Sequence, residues 1–85
     1  MAYRLQFKKS VARDLRRLDR AEADRVLTKL AEELPHCADA CPELAGRFAG
    51  LRRFRVGDYR VLFAILGDTV LVTRIAHRGE AYRGR

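Results

Sequence analysis

Residues 51–63 read LRRFRVGDYRVLF, four arginines in thirteen positions, and residues 75–85 read IAHRGEAYRGR. Arg53, Arg55 and Arg60 in the first stretch, with His77, Arg78, Tyr82 and Arg83 in the second, are the side chains with chemistry to offer. A guanidinium presents a planar fork of donors that fits phosphate. It stays protonated, so it binds and stabilises anions rather than taking up protons. Imidazole is the side chain suited to moving a proton near neutral pH, which makes His77 a candidate acid or base. Tyr82 can stack on a base or act as an acid or base of high pKa. The set suits an anionic ligand; arginines splayed into water are the plain alternative.

The first stretch alternates apolar and basic residues, which is the period of a β-strand. Gly57-Asp58 and Gly67-Asp68 separate three such runs, LRRFRV, YRVLFAIL and TVLVTRIA, and each pair suits a short hairpin turn. With two-residue turns, Val56 faces Tyr59, Arg55 faces Arg60, Phe54 faces Val61 and Arg53 faces Leu62. In the second hairpin Leu66 faces Thr69, Leu62 faces Thr73, Arg60 faces Ile75 and Asp58 faces His77. Alternation then predicts one face of Phe54, Val56, Tyr59, Val61, Phe63, Ile65, Val70 and Val72, with Arg74 near its edge. The other face carries Arg53, Arg55, Arg60 and His77, beside Leu62, Leu71 and Ile75. Like charges opposed across two strands are destabilising, so this cluster is costly alone and favourable around an anion.

The upstream half must cover the apolar face. YRLQF alternates and predicts a first strand over residues 3–7. Ser10 is a good N-cap for VARDLRRL, where Val11, Leu15 and Leu18 recur at helical spacing, so a helix is expected over about residues 10–18. Asp19 with Glu22 is a variant capping box. Ala23, Val26, Leu27, Leu30, Ala31 and Leu34 form one stripe, predicting a second helix of about fifteen residues that ends before Pro35. Residues 35–43 read as loop. The order β-α-α-β-β-β implies an α+β fold, with the helix hairpin packed on one face of a mainly antiparallel sheet. At 85 residues, the expectation is a single domain over 1–85.

The net charge of +7 is unevenly placed. Residues 1–43 carry nine bases and eight acids, whereas residues 44–85 carry nine arginines and three acids. A basic second half points to nucleic acid or an acidic protein partner. No apolar run approaches the ~20 residues of a membrane span, and MAYRLQFKKS has no secretory apolar region, so a cytoplasmic protein without a membrane partner is expected. His36, Cys37 and Cys41 in PHCADACP lack the second Cys/His pair that a zinc site needs. They read as loop residues. No acidic cluster of the kind that binds Mg²⁺ appears on the arginine face, and neither a metal nor a small-molecule cofactor is expected.

RVGDYRVLF followed by VTRIAHRGEAY resembles the RelE/ParE superfamily, the toxin halves of type II toxin–antitoxin pairs. YRLQFKKSVARDLRRL is similar to that family's opening strand and helix, and LAGRFAGLRRF to its approach to the first hairpin. The resemblance implies a RelE-like fold and a partner antitoxin, which wraps the toxin with a helix or extended segment. For the RelE-like branch it implies ribosome-dependent cleavage of mRNA, with the ribosome and mRNA as partners. By position, Arg60 matches the family's phosphate-binding arginine, Tyr82 its C-terminal tyrosine, and His77 the place of a His or Arg acid. Arg53 and Arg55 lie where some members carry lysines. Arg53, Arg55, Arg78 and Arg83 are thus expected to bind RNA phosphate, with Arg60, His77 and Tyr82 catalytic. The 2′-hydroxyl would be the nucleophile. The protein would orient it, stabilise the phosphorane and protonate the leaving 5′-oxygen.

Three readings follow from the resemblance. The first is an mRNA endoribonuclease. The second is a ParE-like inhibitor of DNA gyrase, with the arginines serving contact alone. The third is a non-catalytic toxin-fold subunit acting as co-repressor with its antitoxin. Arg60, His77 and Tyr82 on one side favour the first.

Overall fold

The computed structural model describes residues 2–77. Arg78, Tyr82 and Arg83 lie outside the described residues. The elements run β1 (Arg4–Phe7), α1 (Lys9–Arg16), α2 (Arg20–Cys37), β2 (Arg52–Val56), β3 (Tyr59–Leu66) and β4 (Thr69–His77), with 3-10 turns at Ala38–Ala40 and Gly46–Phe48. This is the expected α+β order. The strands lie in the sequence β1-β4-β3-β2 across one sheet, β1 parallel to β4 and the other pairs antiparallel.

The first hairpin has the expected register, Val56 opposite Tyr59 and Arg55 opposite Arg60. Its turn needs Gly57, whose φ is +57°, a conformation that strains any side chain; a Cβ there would also crowd the end of the Arg25 side chain, 3.0 Å from its Nη2. The helix pair covers the expected apolar face. Val26, Leu30 and Leu34 of α2 and Val11 of α1 are buried against Val56, Val61, Phe63, Val70 and Val72.

The second hairpin departs from expectation at one residue. Leu66 pairs with Thr69 and Phe63 with Val72, but Leu62 then pairs with Arg74, Arg60 with Ala76 and Tyr59 with His77. Thr73 is an extra residue, a β-bulge, and it shifts every later residue of β4 to the opposite face. Ile75, expected on the open face, is buried in the helix-side core. Arg74 stands on the face of Leu62 and Arg60, and His77 opposite Tyr59 rather than Asp58.

α1 holds the bulge from outside the sheet. β1 pairs only as far as Val72, which leaves the rest of β4 as a bare edge. There the Lys8 backbone N–H donates to the Val72 carbonyl (2.9 Å). The Ser10 hydroxyl donates to the Thr73 carbonyl (3.3 Å), and Asp14 Oδ2 accepts the Ile75 N–H (2.9 Å). Thr73 also donates its hydroxyl to the Leu62 carbonyl (3.1 Å). Ser10 is therefore an edge clamp and not the expected cap; the N-cap is Lys8. Asp19 does occupy the N-cap of α2, but without a side-chain bond, and Glu22 pairs with Arg25 instead (2.8 Å).

α2 does not stop before Pro35 but continues to Cys37. An interior proline typically costs about 3 kcal/mol. Here Leu34 and Ala38 are both fully buried on either side of it, and the Pro35 carbonyl accepts the Tyr3 N–H at 3.0 Å. Packing of the final turn outweighs the lost hydrogen bond.

Leu30 sits at the centre of this core, with none of its surface exposed. We expect Leu30→Ala to cost about 2–5 kcal/mol in urea unfolding, and Leu30→Asp to abolish folding; a folded L30D protein would contradict the packing described. Asp14→Ala leaves a strand N–H unsatisfied and is expected to cost about 1–3 kcal/mol in the same measurement.

Candidate functional site

The open face of the sheet is a grid set by register. One cross-strand row is Arg53, Leu62, Arg74; the next is Arg55, Arg60, Ala76. Neighbouring strands are about 4.8 Å apart and alternate residues about 6.7 Å, so the four arginines root within a patch of roughly 10 by 7 Å. Arg55 is exposed and the other three half-buried. Leu62 between them is only 1% exposed, yet it lies outside the helix-side core. The apolar stems of its arginine neighbours suit that position. No ion pair among the described residues involves Arg53, Arg55 or Arg60. The register of β2, β3 and β4 thus roots Arg53, Arg55, Arg60 and Arg74 together on one face, and guanidiniums so gathered have donors that suit an anion.

Of the residues expected to act together, Arg53, Arg55 and Arg60 are brought together. His77 is not among them. It stands on the helix side, its ring edge-on to Tyr59 at 5.5 Å between centroids. The two aromatic residues border a pocket of about 120 Å³ at the β4 edge, lined also by Asp14, Arg17, Leu18, Arg74, Ile75 and Ala76. Arg74 belongs to both places, lining the pocket and standing in the arginine grid. Sequence reasoning missed it there, although a signal existed. The apolar positions Val70, Val72 and Ile75 are spaced two and then three apart, the mark of one extra residue in a strand.

A second pocket, about 320 Å³, lies at the outer edge of β2, lined by Cys37, Ala40, Cys41, Pro42, Arg53, Phe54 and Arg55. Arg52 pins its rim, donating to the carbonyls of Cys41 (2.8 Å) and Asp39 (3.3 Å). Both cysteines are free thiols, and the Cys41 thiol donates to the Cys37 carbonyl at 3.4 Å. Burial, reinforced by the neighbouring Cys37, pushes the Cys41 thiol up to about 11. Among the described residues no three His, Cys, Asp or Glu side chains gather as a metal site.

Residues 5–82 match the family model described as the ParE toxin of the type II toxin–antitoxin system parDE. The chain belongs to the RelE/ParE superfamily of type II toxins. In structure this toxin is similar to a chain of the RelBE2 toxin–antitoxin complex of Mycobacterium tuberculosis. The TM-score is 0.84 at 27% identity, covering 92% of this chain and 100% of that one. It is also similar to a chain of the archaeal RelE–RelB complex of Pyrococcus horikoshii, with TM-score 0.66 at 29% identity over 95% and 100%. The isolated RelE toxin of Escherichia coli shares the fold, with TM-score 0.68 at 23% identity over 95% and 92%. No curated protein sequence matches the toxin. No helix among its described residues is long and apolar enough to cross a membrane.

The raised Cys41 thiol gives the toxin an alkaline signature. A thiol whose pKa is higher folded than unfolded stabilises the fold below the unfolded value, and that contribution is lost as pH rises through the folded one. Stability is therefore expected to fall between pH 9 and about 11. In urea unfolding across that range, Cys41→Ala is expected to flatten the decline; an equal decline in both proteins would contradict the assignment.

Proposed function

We propose that the toxin is a ribosome-dependent mRNA endoribonuclease that works through the RNA 2′-hydroxyl. The observation carrying this reading is the arginine grid on the open face. Arg53, Arg55 and Arg60, with Arg74 added by the bulge, would hold the scissile phosphodiester and stabilise the charge that builds on phosphorus. His77 and Tyr82 would orient the hydroxyl and protonate the leaving 5′-oxygen, giving a 2′,3′-cyclic phosphate and a 5′-hydroxyl. Arg78 and Arg83 would add phosphate contacts. The partners are mRNA on the ribosome and an antitoxin. A surface this basic favours an acidic antitoxin segment laid across Arg53, Arg55 and Arg60.

A second reading, inhibition of DNA gyrase, is favoured by one observation. The bulge turns His77 to the face opposite Arg60, which separates the proton donor from the phosphate site and suits a surface made for contact alone. The match to the ParE toxin description agrees with it. Expressing the toxin without an antitoxin decides between them: cuts confined to translated mRNA support the nuclease, whereas relaxed plasmid with intact mRNA supports the gyrase reading.

Within the nuclease reading, Arg60→Ala is expected to slow single-turnover cleavage on programmed ribosomes roughly 10²–10³-fold. His77→Ala or Tyr82→Phe is expected to cost about 10²–10⁴-fold if that residue moves a proton. Arg4→Ala, at the far end of the sheet beside Asp68, is expected to leave the rate unchanged. A folded Arg60→Ala protein that cleaves at the wild-type rate would overturn the mechanism.

A further inference from the structure

We propose that the pocket at the β4 edge is a second phosphate site, in which Arg17, Tyr59 and Arg74 hold a backbone phosphate of the same polynucleotide that crosses the arginine grid. The proposal rests on the reading of the toxin as an RNA-binding protein. Its volume of about 120 Å³ is well above the roughly 10–15 Å³ that a single water needs, which leaves room for one phosphate group. Arg17 at the end of α1 is exposed, and among the described residues its side chain takes part in no hydrogen bond or ion pair. Among the described residues Asp14 is the pocket's one carboxylate, and its Oδ2 is committed to the Ile75 N–H. The carboxyl end of α1 carries a partial negative charge that would repel an anion; Arg13, Arg16 and Arg17 in and beside its last turn offset it.

The Tyr59 phenol adds a neutral donor at the pocket wall, and its ring is oriented by the edge-on contact with His77. Arg74 makes the two sites continuous. It is paired with Leu62 in the grid and also lines the pocket, so a strand of RNA held by Arg60 and Arg74 has its next cationic contact over the sheet edge at Arg17. This path also leads toward His77, the proton donor of the nuclease reading, which the grid alone does not reach.

The test is equilibrium binding of a short single-stranded 2′-O-methyl oligoribonucleotide, which cannot be cleaved, as a function of salt. Arg17→Ala should lower affinity roughly five-fold at about 0.1 M salt and reduce the slope of log K against log salt by about 0.7, the loss of one phosphate contact. Arg60→Ala should do at least as much, while Arg4→Ala should leave the slope unchanged. Circular dichroism confirms folding of each variant. If Arg60→Ala flattens the slope and Arg17→Ala does not, the second site is wrong and the RNA-binding reading stands. Should neither change it, both fall. Inorganic phosphate, titrated while the Tyr59 ring protons are followed by NMR, separates the sources. An Arg17-dependent shift with phosphate but no slope change with RNA would mean a pocket for small free anions and would overturn the proposal.

Discussion

The extra residue at Thr73 divides β4 into two halves of opposite parity, and the distribution of charge over the molecule follows from it. Before the bulge, Val70 and Val72 point at the helices; after it, Ile75 does. Without the bulge Ile75 would lie on the open face, and Arg74 would be directed into the core, where an unpaired charge is prohibitive. The bulge therefore keeps an apolar residue inward across a strand too long for β1 to pair. Ser10, Asp14 and Thr73 itself hold it with hydrogen bonds. α1 thus works as an edge cover as much as a core helix, satisfying strand groups that would otherwise be bare.

The same register concentrates four arginines on one face, with Asp58 in the turn that joins β2 to β3. Glu22 and Glu33 are engaged on the helices and Asp68 beside Arg4 at the distant turn. Arg55 opposite Arg60 is a repulsive pair, worth a few tenths to about 1 kcal/mol against the sheet. The stability lost there is the kind that a functional surface tolerates, because a phosphate placed between the two converts repulsion into charge-assisted hydrogen bonds. The helix side supplies the compensation: a continuous core from Val11 to Ile75 with no buried polar or charged residue among those described.

Much of this was legible in the residue pattern. The α2 stripe, both glycine turns, the first hairpin and the convergence of Arg53, Arg55 and Arg60 all follow from periods of 3.6 and 2 with standard turn chemistry. What escaped were the places where tertiary contact overrules a local rule. Ser10 is a strong N-cap type, but a strand edge needing a donor lay within its reach. Pro35 is a helix stop, but Leu34 and Ala38 fix the turn around it. The bulge carries no glycine, the usual flag, and its only trace is the three-residue gap between Val72 and Ile75. Reading through that gap exchanges Arg74 for His77 on the open face. That exchange is why Arg53, Arg55 and Arg60 gather on one face as expected while His77 does not join them.

The most direct test is the register of β3 against β4 in solution, read from cross-strand NOEs in the isotope-labelled toxin. The account predicts contacts linking Arg60 with Ala76, Tyr59 with His77, and Leu62 with Arg74, alongside Phe63 with Val72. Contacts linking Leu62 with Thr73 and Arg60 with Ile75 would mean an unbroken strand. They would return His77 to the arginine face and contradict the arrangement on which the site rests.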